Sequence, residues 1–163
     1  MNQDQDTIMK SLESQKNNKF MRAALREAEK AANKEEIPVG AVVVYQNKII
    51  ARGHNLRETT QSFHAHAEFI AMLRAAKKLK SWRLEDCDVY VTMEPCPMCA
   101  GAMIQSRIRT LYYGTKDPKA GGVDSVTHLL DIPFNHKIEV HSGILEETSK
   151  QMIKEFFKKL RVK

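Results

Sequence analysis

Two short motifs in this sequence place metal-binding side chains at the starts of two helices. His66 and Glu68 stand at the start of an apolar stripe with helical period, and about 30 residues later the sequence Pro-Cys-Pro-Met-Cys occupies residues 95–99. The imidazole of His66 and the thiolates of Cys96 and Cys99 form a zinc-binding set that leaves a fourth tetrahedral position for water. Three protein ligands favour a catalytic site over a structural one, and the metal would tie two helix starts together.

Glu68 lies two residues beyond His66, where its side chain can face the open position without binding the metal. A carboxylate there can take a proton from a zinc-activated water and later give it to a leaving amine. A Cys-x-x-Cys pair alone is as typical of redox or structural sites, and His64 offers an alternative imidazole. Because only His66 stands two residues before a glutamate, we predict His66, Cys96 and Cys99 as metal ligands and Glu68 as the proton carrier.

The length of 163 residues predicts one domain, here residues 16–163, preceded by a polar extension, residues 1–15, that is expected to be flexible. The extension lacks the apolar core of a secretory signal, and no apolar run approaches the roughly 20 residues that cross a membrane. Three cysteines are too few for a disulfide framework, so Cys87 is interpreted as a small buried hydrophobe. These features predict a cytoplasmic protein that does not insert into membranes.

Hydrophobic periodicity predicts alternating helices and strands and therefore an α/β layered fold. The predicted helices cover residues 19–32, 66–79, 98–105, 126–130 and 145–160, and the predicted strands cover residues 39–45, 48–51, 88–93, 110–113 and 137–140. Gln46 and Asn47 join the first two strands as a hairpin turn, and residues 53–63 are expected to form a surface loop.

The net charge of the chain is +6, and basic residues crowd its last stretch: Lys150, Lys154, Lys158, Lys159, Arg161 and Lys163. A basic cluster favours a polyanionic partner, although a solvated basic helix face is an equally ordinary interpretation of the charge alone.

Several motifs together resemble the cytidine deaminase-like superfamily and, within it, the bacterial tRNA-specific adenosine deaminases. They are Ile-Pro-Val-Gly-Ala-Val at residues 37–42, Gly-His-Asn at 53–55, Ala-His-Ala-Glu at 65–68, residues 95–103 and Phe156-Phe157. The similarity runs from about Phe20 to Arg161. It implies a three-layer α/β/α fold with a central mixed sheet of about five strands, and a homodimer.

The resemblance also implies a reaction and a partner. The expected activity is hydrolytic deamination of adenosine to inosine at the wobble position of a tRNA anticodon stem-loop, by a zinc-activated water with Glu68 as proton shuttle. Asn55 matches a loop asparagine that pairs with the flipped base, Asp117 an acidic residue that contacts ribose, and Phe157 an aromatic that packs against an anticodon base. Without the resemblance, Asn55 is an ordinary turn residue and Phe157 a core residue.

Pro97 also occurs in related guanine deaminases, so the metal motif does not fix the base. Residues 105–108, the segment around Asp117 and the basic last helix favour tRNA. The alternatives are a zinc-dependent guanine or cytosine/cytidine-type small-molecule deaminase, and a non-catalytic zinc module that binds RNA, which would not require Glu68.

Overall fold

Helices and strands alternate along the chain. The structure, a computed structural model, describes residues 2–162. The elements are α1 (Gln3–Asn33), β1 (Gly40–Tyr45), β2 (Lys48–His54), α2 (Arg57–Thr60), α3 (Ala67–Leu79), β3 (Cys87–Met93), α4 (Pro97–Ser106), β4 (Thr110–Thr115), β5 (Glu139–His141) and α5 (Glu146–Val162). A 3₁₀ turn, Leu129–Asp131, lies between β4 and β5.

The strands form one mixed sheet in the order β2-β1-β3-β4-β5. β1 runs antiparallel to β2 and β3, whereas β3, β4 and β5 run parallel to one another. Gln46 and Asn47 form the turn of the β1–β2 hairpin with φ angles of 50° and 61°, a left-handed pair that suits the twist of paired strands. The predicted hairpin is therefore present.

Helices cover both faces of the sheet. On one face α1 and α5 pack on a core that includes Phe20, Met21, Val42 and Tyr90. On the other face α3 and α4 pack on a second core of residues from α3, α4 and the strands, Val43 among them. Neighbouring residues of β1 thus enter opposite cores, as expected of a strand buried on both faces. The predicted three-layer α/β/α fold is confirmed.

The parallel pairing of β3 with β4 decides where a site can form. Met93 at the end of β3 pairs with Thr115 at the end of β4, so the segments that follow both strands leave the sheet at the same edge. Residues 94–96 lead directly into α4. In open α/β sheets, ligands bind outside the carboxyl ends of parallel strands. This edge is therefore where the chemistry is expected.

The first helix begins much earlier than the sequence periodicity predicts. α1 starts at Gln3, where the Asn2 side chain accepts a hydrogen bond of 3.0 Å from the Gln5 backbone amide, and Asp4 and Asp6 lie in its first turn. These are capping and helix-dipole signals, whereas the periodicity that starts near residue 19 reports only burial. Residues 3–15 are exposed helix. The division into a flexible extension, residues 1–15, and one domain, residues 16–163, stays a prediction.

Three other boundaries differ from the sequence prediction. The helix predicted for residues 126–130 is only the 3₁₀ turn, because the backbone amides of Val126 and Thr127 bond to the Gly121 carbonyl instead of making helical bonds. β2 extends to His54, which pairs with Gly40, so the expected loop is shorter and contains α2. The last strand is Glu139–His141, slightly later than predicted. Among residues 2–162, no helix is long and apolar enough to cross a membrane.

Candidate metal centre and active-site cleft

The structure brings the three predicted metal ligands together. His66 directly precedes α3, Cys96 directly precedes α4, and Cys99 lies in the first turn of α4. The His66 Nδ1 atom is 3.5 Å from the Cys96 sulfur and 3.6 Å from the Cys99 sulfur. One donor atom from each residue lies within 4.8 Å of the others, although Cys96 is 30 residues from His66.

The local sequence explains why the two cysteines lie at a helix start. Pro97 is the first residue of α4, where its fixed φ and missing amide hydrogen suit a helix N-terminus. The free backbone amides and the positive end of the helix dipole favour a thiolate there. His66, with extended backbone, directly precedes α3 in the same way. Both helix starts therefore present their donor atoms to one point.

Electrostatics within this trio separate the two sulfurs. A hydrogen bond from the Cys99 thiol lowers the pKa of Cys96 to about 4, against the effect of burial, and His66 adds to the lowering. The same hydrogen bond, together with burial, raises the pKa of Cys99. The interaction with Cys96 also raises the pKa of His66. The surroundings of Cys96 thus favour its thiolate, which is the form that binds a metal.

The chemistry of the donor set fits zinc. Two sulfurs and one imidazole nitrogen converge on one point, Cys99 is fully buried, and the other two residues are half-buried. Zinc accepts this combination of ligands, and with three protein ligands it retains one position for water. The prediction that zinc is the cofactor is therefore confirmed for this chain.

Glu68 lies in the first turn of α3, beside the trio. The residue is 3% exposed, and burial raises the pKa of its carboxyl group to about 7, although its own backbone amide and His66 favour the charged form. It also interacts with the Cys99 thiol. A carboxyl group in this position can exchange protons with a substrate held next to the metal.

A cleft of about 160 Å³ opens beside the trio, at the carboxyl edge of the sheet. Its lining consists of Ile37, Val39, Asn55, Arg57, His66, Ala67, Glu68, Met93, Glu94, Cys96, Asp117 and Ala120. The cleft is small and mostly apolar, with polar groups from several separate segments. This composition is typical of a site for a small planar ligand or a single base.

Asn55 and Asp117 lie on the walls of this cleft. The Asn55 side chain donates a hydrogen bond of 3.2 Å to the Ile37 carbonyl and accepts one of 3.1 Å from the Arg57 amide, which fixes its orientation. Each end of an amide can make a further hydrogen bond, so both remain available to a ligand. The Asp117 carboxylate accepts hydrogen bonds of 3.1 and 3.2 Å from the backbone amides of Lys119 and Ala120.

Phe157 is placed differently from Asn55 and Asp117. It lies on α5, is 40% exposed, and contacts Phe156 edge to face at a centroid distance of 5.4 Å. Phe157 does not line the cleft, whereas Asn55 and Asp117 do. Its assignment to an anticodon base therefore stays a prediction.

The sequence profile of the MafB19-like deaminase family matches residues 15–161. The chain belongs to this deaminase family. The match begins at residue 15, so the exposed first turns of α1 lie outside the matched segment.

Individual relatives of this deaminase cover nearly its full length. It is 50% identical over 145 residues to the tRNA-specific adenosine deaminase of Bacillus subtilis, covering 88% of this chain and 90% of that protein. A solved structure from a study of A-to-I editing by tRNA:A34 deaminases has a TM-score of 0.80 at 42% identity and covers 82% of this chain and 97% of that one. The guanine deaminase of B. subtilis is 38% identical, with a TM-score of 0.58, over 60% of this chain and 63% of that one.

The alternative ligand in the deaminase, His64, lies outside the trio. Its ring packs edge to face between Phe63 and Phe69, at centroid distances of 5.6 and 5.7 Å. Cys87, at the start of β3, is buried, and burial raises the pKa of its thiol to about 11. Such a thiol stays protonated and packs as an apolar group, as the sequence interpretation expects.

Sequence reasoning missed two buried carboxylates that shape the deaminase cleft. Glu36 accepts hydrogen bonds from the backbone amides of Glu58 and Thr59 at 3.1 and 2.7 Å, so it holds α2 beside Asn55. Glu94 accepts hydrogen bonds from the segment that contains Asp117. The sequence signals were weak: Glu94 directly precedes Pro95, and Glu36 lies in a charged stretch next to an apolar one.

Proposed function

We propose that this deaminase converts adenosine to inosine at the wobble position of a tRNA anticodon. The observation that carries the proposal is the similarity to the B. subtilis tRNA-specific adenosine deaminase, which extends over nine-tenths of that protein. The grouped side chains of His66, Cys96 and Cys99 support the chemistry, because hydrolytic deaminases of nucleobases require such a zinc site.

In this proposal His66, Cys96 and Cys99 hold zinc, which supplies an activated water when it is bound. Glu68 takes a proton from the attacking water, delivers it to N1 of the adenine, and carries a second proton to the departing amine. Water and adenosine thereby become inosine and ammonia. The burial of Glu68 supports this role, since bulk water cannot compete for the transferred protons.

The size of the cleft supports a flipped base as the ligand. About 160 Å³ accommodates a purine ring but not a stacked duplex, so the adenine must leave its stack, which is easiest in a single-stranded loop. We assign Asn55 to the edge of the base and Asp117 to the ribose. Phe157 and the basic residues of α5 bind the flanking nucleotides by stacking and charge.

A charge reversal tests the contribution of α5. Lys158→Glu combined with Lys159→Glu preserves the apolar side chains of the helix, and Lys77→Glu with Lys78→Glu at the end of α3 makes the same change in net charge elsewhere. We expect the α5 variant to raise KM for tRNA by about tenfold or more and to lower its salt dependence. Equal effects of both double variants would exclude a specific role for α5.

We further propose that the deaminase is a cytoplasmic homodimer. An apolar groove of about 480 Å³ between α3 and α4 includes Leu73 and Trp82, which are 54% and 58% exposed. The groove runs along the two helices that carry the site, so a second copy bound there would also stabilise the site. Leu73→Asp should dissociate the dimer in sedimentation analysis, whereas Ile132→Asp, at a similarly exposed apolar position, should not. A wild-type monomer at micromolar concentration would exclude the dimer.

The decisive experiment is incubation of the purified zinc-loaded protein with bulk tRNA, followed by nucleoside analysis for inosine. Glu68→Ala should keep zinc and tRNA binding but lose at least about 10²-fold in rate, the usual contribution of a positioned proton carrier. Free guanine and cytidine serve as competing substrates, because the partial similarity to guanine deaminase favours guanine as the second candidate. If the protein releases ammonia from free guanine faster than it forms inosine in tRNA, guanine deamination replaces tRNA editing as the proposed function.

A further inference from the structure

Glu94 connects the segment that contains Cys96 to the opposite wall of the cleft, which is formed by residues 116–125. It lies between the end of β3 and Cys96, its side chain is buried, and its backbone amide donates a hydrogen bond of 2.8 Å to the Thr115 carbonyl at the end of β4. The residue is thus fixed to the sheet on one side. Its carboxylate points to the segment that follows β4, residues 116–125.

The carboxylate accepts hydrogen bonds from four residues of that segment. One oxygen accepts from the backbone amides of Val123, Asp124 and Ser125 at 3.1, 2.9 and 3.0 Å. The other accepts from the Asp117 amide at 3.1 Å and from the Ser125 hydroxyl. Burial raises the pKa of Glu94, but the hydrogen bonds from these donors lower it more, so the pKa lies below its ordinary value. The acceptor capacity of a carboxylate is about four lone pairs, so the group is fully used.

The wall folds tightly around this carboxylate. A Cβ atom on Gly121 would lie 2.2 to 2.5 Å from the Glu94 carboxyl group, and one on Gly122 would lie 2.6 Å from the Pro97 nitrogen at the start of α4. Residues 116–125 contain no helix or strand of their own. In this wall, backbone amides that would otherwise bond within a helix or sheet donate hydrogen bonds to Glu94 instead.

We infer that Glu94 is a positioning residue for the nucleic-acid substrate. It acts through the wall: by holding the Asp117 amide, it sets the distance between the residue assigned to ribose and the metal-binding segment. The inference rests on the proposed function, because Asp117 has a role only if the substrate extends beyond a free base. Displacement of the wall should therefore weaken substrate binding more than it slows the chemical step.

Glu94→Gln tests this with a small change of shape. An amide offers one acceptor oxygen, which best faces the three amides of residues 123–125, and its NH₂ group then faces the Asp117 amide. The Ser125 hydroxyl can rotate to accept a hydrogen bond, whereas the Asp117 amide loses its acceptor. We expect KM for an anticodon stem-loop to rise about tenfold, with kcat changed less than about threefold and zinc content unchanged.

Asp88→Asn is the matched control. Asp88 lies at the other end of β3, is also buried, and pairs with Arg109 through hydrogen bonds of 3.0 and 2.9 Å. We expect it to lower the thermal midpoint without changing KM. If Glu94→Gln behaves in the same way, Glu94 is structural only and the inference is overturned; loss of zinc from Glu94→Gln would overturn it as well.

A second variant with a smaller structural change tests the inference if Glu94→Gln does not fold. Ser125→Ala removes one donor to the carboxylate and should raise KM about threefold with kcat retained, and an unchanged KM would overturn the inference. A wild-type protein that forms no inosine in the stem-loop contradicts the proposed function instead. The two failures are therefore distinguished by the wild-type rate alone.

Discussion

Gly53→Ala tests whether close packing beneath α3 sets the position of the site. Gly53 lies in β2, and a Cβ atom there would be 2.4 Å from the Ala67 carbonyl oxygen, 2.9 Å from the Ala71 nitrogen and 3.2 Å from the Ile70 Cβ. The Ala67 carbonyl belongs to the peptide bond that leads to Glu68. Any shift of this peptide therefore moves His66 and Glu68.

The size of the shift follows from the distances. Ordinary carbon contacts are about 3.5 Å, so the start of α3 must move away from β2 by about 1 Å. A misplacement of that size can cost about 10²-fold in rate, and we expect such a loss in kcat. Overpacking also costs about 1–3 kcal/mol of stability, equivalent to a fall of about 2–12 °C in the thermal midpoint for a domain of this size.

The assay is the initial rate of inosine formation in tRNA by zinc-loaded protein, measured well below both thermal midpoints. Gly101→Ala is the control, because it makes the same change in the other site helix, where a Cβ would meet nothing within 4 Å. It should keep full activity and gain about 0.5–1 kcal/mol from the better helix propensity of alanine. A Gly53→Ala protein with zinc bound and kcat within about threefold of wild type would refute the argument.

Three further predictions concern the ligands and one carboxylate. Cys96→Ser and Cys99→Ser should each lose zinc and lower the thermal midpoint, since metal binding contributes folding energy, whereas Cys87→Ser should keep stoichiometric zinc by metal analysis. His64→Ala should retain near-normal zinc and activity; loss of metal would mean that the wrong histidine was assigned. Amide hydrogen bonds hold the pKa of Glu36 below its ordinary value of 4.5 against burial, so its stabilisation is present above about pH 4.5 and is lost as pH falls further. The difference in thermal midpoint between wild type and Glu36→Gln should therefore be largest near neutral pH and narrow below pH 4.5.

The grouping of His66, Cys96 and Cys99 could be predicted from the sequence because each half of the trio is local. His66 and Cys96 carry their chemistry in motifs of a few residues, and both motifs precede helices that periodicity reveals. The central strands were predictable for a similar reason, since β1 and β3 are short runs of β-branched and aromatic residues.

The walls of the cleft could not be predicted in this way. Glu94 is recognised only by its partners, which are backbone amides 23 to 31 residues away along the chain. Backbone amides occur at every residue except proline, so no pattern of side chains marks them. The early start of α1 was missed because an exposed helix needs caps and charges but no apolar stripe.

The order of the elements along the chain has a consequence for synthesis on the ribosome. His66, Cys96 and Cys99 all precede β4, whereas the partners of the Glu94 carboxylate lie after it. Since translation proceeds from the N-terminus, the three donor atoms emerge before the segment that completes the cleft. A nascent chain that ends after α4 would carry all the metal ligands, with the Glu94 carboxylate still awaiting its partners. The order of the elements therefore allows zinc to bind before the substrate wall forms.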